Sequence, residues 1–92
     1  MSISDRVSVI VPTRNNIRTI EACLQSVLAQ DYPDFELLVI DNSSTDGTAE
    51  RASQRAHKFF TAGPERSAQR NRGIKEATGE WILWLDSDMI LP

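Results

Sequence analysis

Two carboxylates one residue apart, Asp86 and Asp88, follow directly on five large apolar residues, Trp81-Ile82-Leu83-Trp84-Leu85. Such a run fits a strand buried on both faces, as in a parallel sheet with helices above and below it. Side chains of extended backbone alternate with period two, so both acids project to one side if the extension persists through Ser87. Carboxylates held that close repel unless a cation lies between them, and hard divalent cations take carboxylate oxygens readily. Mn²⁺ and Mg²⁺ both suit an oxygen ligand set, and sequence does not choose between them. The competing reading is a solvated turn after a core strand. A third acid, Asp41, ends another apolar run, Phe35 to Ile40, where a buried strand gives a carboxylate no structural reason to be.

For these acids to meet, the intervening elements must return them to one edge. Val7 to Val11 reads as a buried strand that Pro12 ends, because proline cannot donate into a central ladder. Thr13-Arg14-Asn15-Asn16 follows as a polar loop whose asparagines suit helix caps. Ile17, Ile20, Cys23, Leu24, Val27 and Leu28 recur at three- and four-residue steps, which predicts a helix with one apolar stripe and Cys23 buried on it. After the break at residues 31–34, Phe35 to Ile40 makes the second strand. Turn formers fill residues 42–48, and a helix is expected from Thr48 to about Ala56, with Asp46 favouring its dipole. His57 to Ala62 is a shorter strand, with His57 solvated at its boundary, and Gly63-Pro64 turns the chain. Ser67 is the expected N-cap of a third helix from Ala68 to Thr78, with Ala68, Ile74 and Ala77 inward and Gly79 stopping it. Arg72 and Lys75 read as a solvated helix face.

The order β-α-β-α-β-α-β predicts an α/β fold: an open, mostly parallel sheet of about four strands, Rossmann-like, with helices on both faces. Such sheets bind ligands beyond the carboxyl ends of their strands. Every chemically suggestive residue follows a strand: Pro12, Thr13 and Asn15 after the first, Asp41 after the second, the 63–67 turn after the third, Asp86 and Asp88 after the fourth. The expectation is that three carboxylates and the helix-borne Arg70 converge on one rim, where a cation bridges them to an anion.

Ninety-two residues bound the chain to one domain, 1–92. A net charge of −3 argues against a nucleic-acid partner held by bulk electrostatics. Seven of the ten Lys and Arg residues lie between Arg51 and Lys75, a local basic segment that suits a small anionic ligand better than a long polyanion. Cys23 is the single cysteine, which excludes an intrachain disulfide and makes a reducing, cytoplasmic setting the expectation. No apolar run is long enough for a transmembrane segment, and no signal core opens the chain.

Four stretches in register then resemble the donor-binding half of a family 2 glycosyltransferase with the GT-A fold. They are Val7 to Asn15, Val39 to Thr48, Arg70-Asn71-Arg72-Gly73-Ile74, and Gly79 through Asp88 with its Asp-x-Asp motif. The resemblance implies a nucleotide-sugar donor, UDP-linked, and an acceptor of unknown identity. It implies that Pro12 and Thr13 line the base and ribose pocket and that Asp41 hydrogen-bonds a uracil-type base. Arg70 would lie near the nucleotide, Asp86 would reach the ribose or sugar, and Asp88 would coordinate the cation bridging the diphosphate. Transfer would proceed with inversion.

Two departures stand out. Asp41-Asn42-Ser43-Ser44 occupies the loop where the family often has Asp-Asp-Gly-Ser. The family's acceptor region and catalytic base lie beyond the Asp-x-Asp strand. By that resemblance the base is expected beyond Pro92, and no catalytic residue is assigned within 1–92. The sequence reads as the donor-binding portion of a longer enzyme, inactive alone. The alternatives are a non-catalytic nucleotide-binding or assembly module of the same fold, and a receiver-like phosphoacceptor domain, which would want an acid pair where this chain has Pro12-Thr13-Arg14-Asn15. Trp84 and the Met89-Ile90-Leu91 tail, if left uncovered, would drive self-association through the edge of the last strand.

Overall fold

Strand β1, Val7–Thr13, is the axis of the sheet, with neighbours on both sides. The computed structural model describes residues 5–92; the first four residues of the expected 1–92 domain lie outside the described residues. Along the chain follow α1 (Ile20–Leu28), β2 (Phe35–Asp41), α2 (Thr48–Arg55), β3 (Lys58–Thr61), α3 (Arg66–Glu76) and β4 (Trp81–Trp84). The sheet order is β3-β2-β1-β4 and every pairing is parallel. β1 pairs with β2 over its full length, from Val7 opposite Phe35 to Thr13 opposite Asp41, but with β4 only from Val7 opposite Trp81 to Ile10 opposite Trp84.

Period-two alternation divides the apolar side chains between the two faces. Val9, Val11, Leu37 and Val39 meet Ile20, Cys23, Leu24 and Val27 of α1 and Ala52 of α2. On the opposite face Ile10, Leu38 and Ile40 pack with Phe60, Ala62 and Ala77, and α3 lies over β1 and β2. The expected α/β sheet covered on both faces is therefore present, and Cys23 is buried on the α1 stripe as its spacing predicts.

Several local expectations are corrected. Pro12 does not end β1 but lies inside it, opposite Ile40. The carbonyl of Ile10 is bonded on the β4 side and that of Thr13 on the β2 side, so alternation turns the missing N–H of Pro12 toward β4, which has already stopped at Trp84. β4 is not buried on both faces: Trp81, Ile82, Leu83 and Trp84 are all exposed because β4 is an edge strand, and only Leu85 enters the core. α1 starts at Ile20 rather than Ile17, since Thr19 and Ile20 donate to Asn16 O while the amide of Ile17 is taken by Asp46.

α3 differs most from its expected register. Gln69 and Gly73 face the sheet, and Ile74 points outward, half exposed. A Cβ at Gly73 would lie 2.8 Å from Ile10 Cγ2, so glycine permits the close approach of helix and strand. The helix stops two residues early because the amide of Thr78 is diverted to Glu36. His57 is exposed, as expected, yet it extends the sheet: its N–H donates to Leu37 O and its Nδ1 accepts from Leu37 N, both at 2.9 Å.

Glu36 ties the amino-terminal edge together. Its buried carboxylate accepts from Ser8 Oγ at 2.6 Å and Thr78 N at 2.7 Å, and it pairs with Lys58 Nζ at 2.9 Å and Arg6 at 3.4 Å. Burial by itself raises the pKa, but the hydrogen bonds from Ser8, Thr78 and Lys58 together outweigh it and lower the value from 4.5 to about 2. A group depressed on folding adds stability that is complete above pH 4.5 and drains as the pH falls toward 2. Urea titrations across that window should therefore show wild-type stability falling with acid, and Glu36→Gln should flatten that limb while costing ~1–3 kcal/mol at pH 7. Equal acid slopes in the two proteins would contradict the clamp.

Candidate functional site

The short β4 creates the site. Leu85 makes the last ladder bond, its N–H to Ile10 O at 3.1 Å, and the chain then turns, with Met89 N donating to Asp86 O at 3.0 Å. The extension expected through Ser87 does not persist. A turn instead presents Asp86 and Asp88, both exposed, over the end of β1, with Ser87 buried between them. The turn is fixed from three directions: Leu85 is in the core, the Cys23 thiol approaches Asp86 O at 3.7 Å, and Leu91 packs on the core while its N–H donates to Ser26 Oγ at 3.0 Å.

Between this turn and the ends of β1 and β2 lies a cleft of about 490 Å³. Its floor is Pro12 and Thr13, continued by Arg14 and Asn16 of the β1–α1 loop. Asn42 and Pro64 form one side, α3 contributes Arg66 and Gln69, and Asp86, Ser87 and Asp88 close the other side. Gln69 is buried, and its Nε2 donates to Thr13 O at 3.2 Å and to Ile40 O at 2.8 Å, so it binds the first turn of α3 to the ends of both central strands. Arg66 reaches to 3.9 Å from Asp86 across the mouth. Two guanidinium groups, Arg14 and Arg66, therefore face two carboxylates, and the charged lining is neutral as it stands.

Of the residues expected here, Pro12, Thr13, Asp86 and Asp88 line the cleft; Asn15, Asp41 and Arg70 do not. Asp41 is only 2 % exposed, and its two carboxylate oxygens accept from Ser44 N at 2.9 Å and Ser44 Oγ at 2.6 Å. Its structural reason is thus the shape of the 42–44 loop. Asn15, at φ 52°, joins two loops: its Oδ1 accepts from Thr45 N and its N–H donates to Ser44 Oγ, both at 2.8 Å. Arg70 stacks 5.5 Å above the Trp84 ring, beside a smaller hollow of about 310 Å³ that shares Pro12, Arg66 and Asp86 with the cleft. Pro92, the residue beyond which the catalytic base is expected, does not line the cleft either. It is exposed beside α1, where its carbonyl accepts from Gln30 Nε2 at 3.2 Å.

The expected convergence of three carboxylates is corrected accordingly. Among the described residues, no three His, Cys, Asp or Glu side chains form a group able to hold a metal ion. Two carboxylates in one turn still suit a small divalent cation, which commonly takes one or two protein carboxylates and completes its shell with water and substrate phosphates. Sequence reasoning overlooked Arg14, Asn16, Asn42, Gln69 and Ser87, and reached Pro64 and Arg66 only as part of the 63–67 turn. Most flank residues it chose, so loop membership was the available signal; Gln69 had none, because a glutamine on a helix reads as solvated.

A parallel sheet of this order, with a polar cleft at its carboxyl edge and an Asp-x-Asp turn on the rim, is the arrangement of GT-A glycosyltransferases. The family described as glycosyl transferase family 2 matches residues 8–92. An uncharacterized glycosyltransferase of Rickettsia felis is 41% identical over 88 residues, covering 90% of this chain and 15% of its own length. The mannosyltransferase PcManGT of Pyrobaculum calidifontis, solved in complex with GDP-Man and Mn2+, superposes with a TM-score of 0.84 at 34% identity, covering 94% of this chain and 28% of that one. TarS 1-349 of S. aureus in complex with UDP-GlcNAc gives a TM-score of 0.75 at 36% identity, covering 90% and 26%. The chain belongs to glycosyl transferase family 2. It spans about 15% of the length of the first curated relatives it matches. Among the described residues, no helix is long and apolar enough to cross a membrane.

The packing beneath the turn has a direct chemical readout. Burial, reinforced by the negative charge of Asp88, pushes the Cys23 thiol from 9.0 up to about 11. At pH 8 the folded chain should consequently resist alkylation by iodoacetamide, reacting only as fast as it unfolds. Labelling at the rate of an unfolded control would show that α1 is not seated against the turn.

Proposed function

We propose that residues 1–92 are the donor-binding portion of a metal-dependent glycosyltransferase that moves a sugar from a nucleotide-diphosphate sugar, UDP-linked, to an acceptor, with inversion. The observation that carries this reading is the cleft lined by Arg14, Arg66, Asp86 and Asp88. A divalent cation held by Asp88, with Asp86 beside it, would give the neutral lining an excess of two positive charges, matched to a diphosphate. The solved relatives that contain GDP-Man with Mn2+ and UDP-GlcNAc support a nucleotide-sugar ligand.

In this reading Pro12 and Thr13 support the base and ribose, and Asp41 acts from behind them through the loop it shapes. Asp86 orients the ribose or sugar. Arg14 and Arg66 draw the phosphates inward, and Arg66 exchanges its long contact with Asp86 for phosphate oxygens, to which guanidinium is geometrically suited. A bound Mn²⁺ or Mg²⁺, held by Asp88 with Asp86 beside it, would supply positive charge against the diphosphate leaving group. In the same reading the catalytic base and the acceptor site belong to a part of the enzyme outside residues 1–92, and the enzyme works in the cytoplasm. Buried Asp41, bonded twice to Ser44, does not favour the receiver-like alternative.

Isothermal titration tests the assignment. UDP should bind with Mn²⁺ or Mg²⁺ present and at least roughly tenfold more weakly in EDTA, while Asp88→Ala should bind equally weakly in both conditions. GDP competition reads the base preference. Wild-type binding indifferent to EDTA, or an unaltered metal dependence in Asp88→Ala, would overturn the reading.

A second proposal concerns β4. Among the described residues no strand pairs with its outer edge, Trp81 is 62 % exposed and Ile90 64 %, and Ile82, Leu83 and Trp84 add apolar area on both faces. Burying such area is worth about 25 cal/mol per Å², so the isolated chain should self-associate through this edge. Sedimentation velocity should show concentration-dependent association that Leu83→Lys weakens; a clean monomer at high concentration would contradict it.

A further inference from the structure

Asn42, the first residue after β2, is 7 % exposed at the side of the cleft. Its backbone N–H donates to Thr13 O at 2.9 Å, which fixes the residue at the end of β1. Its side-chain Nδ2 donates to Pro64 O at 2.9 Å, across to the β3–α3 loop. A carboxylate offers no proton there and would set two acceptors against each other.

Gly63 is cut to fit the same side chain. A Cβ built on Gly63 would lie 2.2 Å from Asn42 Oδ1, so the glycine leaves room for the carboxamide to lie flat against the bend. Two residues beyond Pro64, α3 begins at Arg66, the guanidinium group on the cleft mouth. The first turn of the helix is held to the strands by the Gln69 amide, whereas the loop leading into it is held by Asn42 Nδ2 and by Ala62 N–H donating to Asp41 O at 3.0 Å.

We infer that Asn42 is a positioning residue whose amide N–H latches the Gly63–Pro64 bend to the end of β2 and thereby sets Arg66 over the cleft for the phosphates of the donor. The phosphate part of this inference rests on the proposed donor site; the latch itself does not. An amide at position 42 also keeps a third negative charge out of a lining whose acids are balanced by Arg14 and Arg66.

Two measurements on the 92-residue chain separate the parts. Hydrogen exchange without ligand reads the latch: Asn42→Asp and Asn42→Ala should speed exchange at the amides of Ala62, Ala68 and Gln69 about tenfold and leave Val11 and Val39 protected. Unchanged exchange at those three amides overturns the latch, and exchange that rises equally in the central strands overturns it in favour of general destabilisation. UDP titration with Mn²⁺ then reads the positioning. Asn42→Ala, which removes the latch without adding charge, and Arg66→Ala should each weaken UDP about tenfold, the double variant should be no weaker than Arg66→Ala alone, and uridine binding should be unaffected by Asn42→Ala. Fully additive losses would show that Asn42 does not act through Arg66. If the wild-type chain bound no UDP under any metal condition, the donor reading would fall, and with it the phosphate role of Asn42, while the exchange result would still decide the latch.

Discussion

The unequal lengths of the strands flanking β1 govern this structure. β2 accompanies β1 through Thr13, whereas β4 stops opposite Ile10. Three residues of β1 are thus left without a partner on the β4 side, which is where a proline is tolerated and where the Asp86–Asp88 turn can fold over the strand end. A longer β4 would require a donor that Pro12 lacks and would carry the acidic turn past the cleft. The step in the sheet is the cleft's geometric cause, and the side chains that line it come from the loops the step exposes.

The two edges of the sheet handle charge in opposite ways. At the amino-terminal edge Glu36 is buried and fully engaged by Ser8, Thr78, Lys58 and Arg6, which makes that edge a fixed structural joint. At the carboxyl edge Asp86 and Asp88 are exposed, and Arg66 stays at 3.9 Å from Asp86 with 85% of its side chain accessible. An exposed pair of that kind contributes little to stability and is cheaply exchanged for a ligand. Saturated hydrogen bonding makes one acid structural, and unsaturated bonding leaves the others available for chemistry.

The fold was legible because its signals are local and repeated: apolar runs of strand length, one amphipathic stripe in α1, and turn residues between them. The site was legible to the extent that residues at strand ends must share an edge, which holds for Thr13, Asp86 and Asp88. It failed where side-chain bonding decides direction. Asp41 shares the edge, but Ser44 takes both of its oxygens, and no spacing rule anticipates that. α3 failed for a related reason. Its sheet-facing positions are Gln69 and Gly73, chosen for carbonyl capping and close approach rather than for hydrophobicity, so an apolar count pointed at Ile74 instead. β4 read as a buried strand because composition reports apolar residues and says nothing about whether a neighbour covers them.

A divalent cation held by the Asp86–Asp88 turn, as proposed, would leave a local signature at the carboxyl edge of the sheet. Paramagnetic broadening by Mn²⁺, followed in amide spectra of the uniformly labelled chain, reads that signature. Ser87, Asp88, Arg14 and Asn42 should broaden at the lowest Mn²⁺ concentrations, well before Ser8 and Gly79 at the far edge, and Asp88→Ala should remove the selectivity. Broadening that is uniform over the chain, or that begins around Glu36, would contradict it.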